Sequence, residues 1–162
     1  MPRPTDLAAL LLAILLCLVP SRARANAYAV GEIPRMIPER EALKLHAAHI
    51  FVTDDLLHRA ASPGARKQLA RKAGLRAARV DQLCRYADFL RLQNIGPEWV
   101  MLLEAAGLRS IPDLARQSAP ELTRKIEAIN RARRIADPGP TEAQLVDWIT
   151  QAAKLPPILS PS

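Results

Sequence analysis

The sequence predicts an all-α protein, on three observations. Its punctuation is that of helices: Ser62-Pro63, Ser118-Ala119-Pro120-Glu121 and Thr141 stand where helices open, and Gly74 and Gly107 stand where they close. Such residues satisfy the orphan amides and carbonyls of helix ends. No stretch alternates apolar and polar residues as a half-buried strand would. Aromatic residues make up only 4% of a chain rich in Ala and Leu, which suits a modest helical core. At 162 residues there is room for one small domain.

The first residues read as an export signal. Arg3 supplies a short positive start, and Leu7 to Val19 is an unbroken apolar run ended by Pro20. Small-x-small sites follow at Ala23/Ala25, Ala25/Ala27 and Ala27/Ala29, the grammar of a cleaved secretory signal. This apolar run is too short for a membrane span, which needs about 20 residues. A signal peptide is therefore expected over 1–25, with a cut as late as 29, and the chain is expected to be periplasmic or secreted. Cleavage after Ala25 would remove Arg3, Arg22 and Arg24 with Asp6, lowering the charge from the +7 of the whole chain to +5. Cys84 would be the one remaining cysteine. It reads as a small core residue, with an intermolecular disulfide as the sharper alternative.

The elements follow in order. Asn26 to Pro34 is a linker. Glu39 to Ala48 is a helical run with Ala42, Leu45 and His49 on one face, and Thr53 and Asp54 are expected to cap a helix over Asp55 to Ala60. Ser62 caps a helix opening at Pro63 and closing at Gly74. Arg76 to Leu92 is expected to be the longest helix, with Val80, Leu83, Ala87 and Leu90 as one buried stripe. A turn at Asn94-Ile95-Gly96 leads into Pro97 to Ala106, closed by Gly107. Ser110, Pro112 and Asp113 open a short helix, and a capping box at Ser118 and Glu121 opens another to about Asn130. After the breaker Asp137-Pro138-Gly139-Pro140, Thr141 caps a last helix carrying Leu145, Trp148, Ile149 and Ala152, and a Pro-rich tail ends the chain.

A repeat lies inside this order. Sliding the sequence along itself until Ile37 falls on Ile95 also lays Leu45 on Leu103 and Ala47-Ala48 on Ala105-Ala106. The same shift lays Asp55-Leu56 on Asp113-Leu114 and Arg66-Lys67 on Arg124-Lys125. Two copies of one helical unit cover apolar faces that neither could bury alone. The copies are unequal: Pro38 and His49 stand where the second has Gly96 and Gly107.

Together these residues resemble a bacterial family, domain of unknown function 4332, made of paired helix-hairpin-helix units. Its G-hydrophobic-G-P turn is matched by Asn94-Ile95-Gly96-Pro97, its A-A-G-hydrophobic helix end by Ala105-Ala106-Gly107-Leu108, and its capped D-L by Asp113-Leu114. An A-D-x-x-R motif is matched by Ala87, Asp88 and Arg91, and an R-K-x-L-A run by Arg66, Lys67, Leu69 and Ala70. Asp147-Trp148 and Ala153-Lys154 match the family's closing helix. The match runs from about Ile33 to Leu155. It departs at Met36-Ile37-Pro38 in the first hairpin and at Asn94 in the second. The resemblance implies two degenerate helix-hairpin-helix units packed as one compact helical domain over 35–155, between a linker over 26–34 and a tail over 156–162. It implies a fold related to DNA-binding hairpins and no established activity.

The second hairpin is the first candidate site. A tight turn before a helix points amides outward at the positive end of the helix dipole. Asn94, Ile95, Gly96, Glu98 and Trp99 would form such a turn, with the amides of Gly96, Glu98 and Trp99 on one phosphate. Pro97 has no amide proton to give, and the Glu98 carboxylate opposes an anion. Packing of Ile95 and Trp99 accounts for the hairpin without a ligand, and is the simpler reading.

The second candidate is a basic face. From Arg59 to Arg91 there are nine basic side chains and two acids, Asp81 and Asp88, so this segment alone carries a net +7. Lys67 and Arg71 share a helix face, flanked by Arg66 and Lys72, with Arg76 and Arg79 beyond. Such a surface attracts polyanions by counterion release. A plainly solvated helix face is the alternative.

Catalytic and metal chemistry are not expected. His46 and His49 have the spacing to share a face, yet Asp54 or Asp55 would need a fortunate fold to complete a metal site. Asp113 and Glu121 read as helix-start carboxylates rather than an acid–base pair. No cofactor is called for. The expectation is a non-catalytic binding or scaffolding module of the cell envelope, meeting a protein or an anionic polymer through the basic face. The alternative is non-specific nucleic-acid binding through 94–99 and 59–91.

Overall fold

Proline in the first turn or a side-chain oxygen at the cap opens five of the eight described helices. The computed structural model describes residues 27–160; the expected signal peptide lies outside them. Eight helices occupy the described residues, with no strand beyond one isolated bridge between Ala29 and Val52. They are α1 (Glu39–Ala47), α2 (Thr53–Arg59), α3 (Pro63–Ala73), α4 (Ala77–Phe89), α5 (Pro97–Ala105), α6 (Ile111–Ala115), α7 (Ala119–Arg133) and α8 (Glu142–Ala152). The hydroxyls of Ser62, Ser110 and Thr141 each accept an amide of the first turn, as capping oxygens do. Thr141 and Gln144 form a reciprocal capping box.

Three local expectations change. Helix α2 starts at Thr53, because the Asp55 carboxylate reaches back to accept from the amides of Phe51 (2.8 Å) and Val52 (3.1 Å). Ser118 makes no capping bond, so the box with Glu121 does not form. The longest described helix is α7 rather than α4. Nothing breaks α7 at Asn130: Arg131, Ala132 and Arg133 are good helix formers, and the chain leaves the helix only where Arg134 turns left-handed (φ 49°).

The shift that sets Ile37 on Ile95 carries Glu39–Ala47 onto Pro97–Ala105 and the start of α2 onto the start of α6. It also carries one cap onto the other. His49 N bonds His46 O and Ile50 N bonds Leu45 O, just as Gly107 N bonds Glu104 O and Leu108 N bonds Leu103 O. His49 and Gly107 are both left-handed, at φ 63° and 89°. Asp113 accepts from Arg109 N as Asp55 does from Phe51 N. Packing repeats as well: α4 lies on α2 and α3, α8 on α6 and α7, α1 on α3 and α5 on α7. The fourth helix of the second copy starts later than the shift requires, by the length of a loop inserted after α7.

One core runs through both copies. Leu45, Leu56, Val80, Leu83, Leu103, Leu114, Leu145 and Trp148 are all fully buried in it. Its two ends are closed by segments read as linker and tail. Val30 and Ile33 are buried, and Val30 N bonds Phe51 O. Beyond α8, Ser160 N bonds Ala61 O, so residues 156–160 return to the first copy.

The left-handed caps make a paired prediction. A Cβ is strained at such a φ, and one built on Gly107 would touch nothing closer than Lys125 Nζ at 4.0 Å. Gly107→Ala should therefore lower stability by about 1 kcal/mol through the backbone alone, and His49→Gly should raise it by up to about 1 kcal/mol. Urea unfolding followed by circular dichroism reads both signs.

Candidate functional site

The turn at 94–99 is bolted to its surroundings. Gln93 N donates to Gln151 Oε1 and Gln93 O accepts from Trp148 Nε1, so α8 grips the chain just before the turn. Asn94 takes the left-handed conformation (φ 58°), the role expected of a glycine. Gly96 is extended (φ −99°) and needs no such freedom, while a Cβ there would meet nothing within 4 Å. Ile95 is buried. Trp99 lies tilted against Trp148 at 5.3 Å and donates its indole N–H to Pro138 O. Glu98 is exposed and pairs with Arg35 at 3.3 Å. The hydrogen-bonded ladder of α5 begins at Val100 N on Gly96 O, leaving the amides of Glu98 and Trp99 ahead of it. The carboxylate at this helix start is thus compensated by Arg35 as well as by the helix dipole.

The expected basic face divides in two. Lys67, Arg71, Lys72 and Arg76 are exposed, and none has an acidic partner among the described residues. Arg66 and Arg79 do not belong to that face. Arg66 is 3% exposed; its Nε donates to Asp81 at 2.6 Å and its other nitrogens to the carbonyls of Ala61 and Ser160. Arg79 reaches Glu41 at 2.7 Å and Met36 O at 2.7 Å. Both point inward, Arg66 toward the carbonyls just beyond α2 and Arg79 toward the loop carbonyl of Met36 ahead of α1.

The A-D-x-x-R motif proves to be a packing device. Asp88 (5% exposed) and Arg91 (8%) form a buried pair at 2.6 Å, and Arg91 also donates to Pro156 O. Burial pushes the Asp88 carboxyl up, against the pull of Arg91. Cys84 is fully buried, as expected, and desolvation pushes its thiol up to about 12, so it is inert as a nucleophile. His46 stacks on Phe51 and His49 is exposed. No group of three or more His, Cys, Asp or Glu side chains comes together among the described residues.

A cluster that sequence reading missed centres on Glu104. Its Oε2 accepts from Tyr86 Oη (2.6 Å) and Gln82 Nε2 (2.7 Å), and its Oε1 from Arg85 (3.1 Å), with Arg109 at 3.3 Å. Burial raises the cost of its charge, yet the bonds from Tyr86, Gln82 and Arg85 outweigh it and hold the carboxyl below the usual glutamate range. Burial, with Glu104 as acceptor, pushes the Tyr86 phenol far up. The sequence signal was present: Gln82 and Tyr86 lie one turn apart on a single face.

Two outcomes follow for these groups. Arg91→Leu would strand Asp88 in the core and should cost about 3–5 kcal/mol, most of it recovered when Asp88→Leu is added; chemical denaturation of the three chains measures this. For Glu104 the folded pKa is depressed, so the stability its charge contributes is full above the ordinary glutamate range and lost as pH falls through the lowered value. The stability gap between the chain and Glu104→Gln should be widest near neutrality and should shrink below about pH 4, as read from melting temperatures across pH.

Comparison with known proteins agrees with the pattern of motifs. The family model described as domain of unknown function (DUF4332) matches residues 35–155. No curated protein matches, and neither does any solved structure. Since the match covers most of its length, this chain belongs to the domain of unknown function 4332 family.

Proposed function

We propose that the chain is a non-catalytic binding module of two helix-hairpin-helix units, exported to the cell envelope, that meets an anionic polymer through the outer face of α3 and the turn that follows it. The observation that carries this reading is the group Lys67, Arg71, Lys72 and Arg76, four exposed cations without acidic partners among the described residues. Guanidinium and ammonium groups left to water keep their counterions until a polyanion displaces them. Export rests on the sequence alone, on Arg3, the Leu7–Val19 run and the small residues after Pro20. No described helix is long and apolar enough to cross a membrane. The reading of each half as a helix-hairpin-helix unit is supported by the shared caps at His49 and Gly107 and by the shared carboxylates Asp55 and Asp113.

A second reading has one observation in its favour. Open space at Gly96, ahead of the Glu98 and Trp99 amides, would admit a phosphate oxygen of a nucleic acid. Against it stands Glu98, whose carboxylate already occupies the positive end of α5.

Fluorescence anisotropy of a labelled DNA duplex, titrated at two salt concentrations, separates the two. If α3 is the binding surface, Arg71→Glu should weaken association about tenfold or more at low salt and flatten its salt dependence, while Gly96→Val changes nothing. The reverse pattern, with Glu98→Lys tightening and Gly96→Val weakening, would assign binding to the hairpin. No association at low salt would remove the α3 reading.

A further inference from the structure

Between α4, α5 and the end of α7 lies an open recess of about 580 Å³. Its size is that of small-molecule sites. Three guanidinium groups line it, those of Arg85, Arg109 and Arg133, against a single acid, Glu104. They arrive from three elements: Arg85 from α4, Arg109 from the turn after α5, and Arg133 from the last turn of α7. Arg85 and Arg109 converge, since both reach the same carboxylate oxygen.

Acceptors in this recess run out before donors do. A carboxylate offers about four lone-pair positions, and Glu104 already meets Tyr86, Gln82, Arg85 and Arg109. Nothing remains there for Arg133, which has no acidic partner among the described residues. Arg85 Nε is buried and, among the described residues, has no hydrogen-bond partner, a costly state for a guanidinium N–H. Arg109 is more than half exposed, with most of its fork unused by Glu104. Met101 and Ile135 add an apolar wall.

We propose that this recess binds a small organic oxyanion, a carboxylate or phosphate ester with an apolar body, its charged end held by Arg109 and Arg133 and its body against Met101 and Ile135. Planar guanidinium forks match both carboxylate and phosphate geometry. Glu104 acts as the positioning residue: it fixes Arg85 and Arg109 without neutralising the recess. The site is independent of the α3 face and of the hairpin turn. It has no counterpart elsewhere in the repeat, because the shift sets His46 where Glu104 stands.

The test is a titration of the whole, isotopically labelled chain with phenyl phosphate and with inorganic phosphate, followed by the arginine side-chain N–H signals. Phenyl phosphate should shift the Arg85 and Arg109 signals saturably and bind more tightly than inorganic phosphate. Arg133→Gln, an exposed change that leaves folding intact, should weaken phenyl phosphate about tenfold, the effect of one charge-assisted bond. Arg131→Gln removes the same charge from the same helix but lines a different recess, and should leave affinity unchanged. Equal weakening by both variants would mean diffuse attraction and would overturn the site. So would an absence of saturable shifts, or equal affinity for the two phosphates.

Discussion

Two buried guanidinium groups hold this fold closed. Arg66 and Arg91 both lie in the first copy, and both donate to carbonyls beyond the last helix, Ser160 and Pro156. A buried cation without compensation is among the most costly groups a core can contain. Each here therefore has a carboxylate, Asp81 or Asp88, and main-chain carbonyls to complete its fork. The consequence is long-range. Because these arginines need the segment after α8, the end of the second copy is tied back to the first, and the chain closes on itself.

That closure explains why the two copies differ. The first meets the N-terminal strap at Val30 and Ile33 on one side and the returning segment at Ala61 on the other. The second has a longer third helix and an inserted loop. Asn130 secures that loop by accepting from Ile135 N and Ala136 N and donating to Ala136 O. Equivalent positions consequently carry different chemistry: His46 stacks on a ring where Glu104 gathers donors. Repetition set the frame of helices, and unequal covering set the surfaces.

Much of the frame was legible in the sequence because caps and apolar stripes are local. Ser62, Gly74, Ser110 and Thr141 act within four residues of where they stand, and Val80, Leu83, Ala87 and Leu90 repeat at the helical period and are all buried. Ser118 misled for the same reason: its neighbours satisfy a pattern, but its side chain makes no capping bond. The sites were harder to read. Gln82 and Arg85 meet Glu104 across 22 and 19 positions, and Trp99 meets Pro138 across 39. No periodicity within one helix encodes such meetings. The packing of residues 28–33 and 156–160 was hidden in the same way, since nothing local to either stretch says where its amides and carbonyls will find partners.

Charge is where local reading goes furthest astray. Nine cations between Arg59 and Arg91 suggest one strongly basic surface, yet Arg66, Arg79, Arg85 and Arg91 are turned inward to acids and carbonyls. Arg59 is exposed but donates to His49 O at 2.7 Å, bracing the left-handed turn that closes α1. In a small helical domain the leftover carbonyls at helix ends are numerous, and arginine, with five donors on a long stem, is well suited to collect them. A count of arginines therefore measures structural demand as much as surface potential. What is left for a partner is set by which cations the fold does not consume, among them Lys67, Arg71, Lys72 and Arg76 on one side, and Arg133 beside the Glu104 cluster on the other.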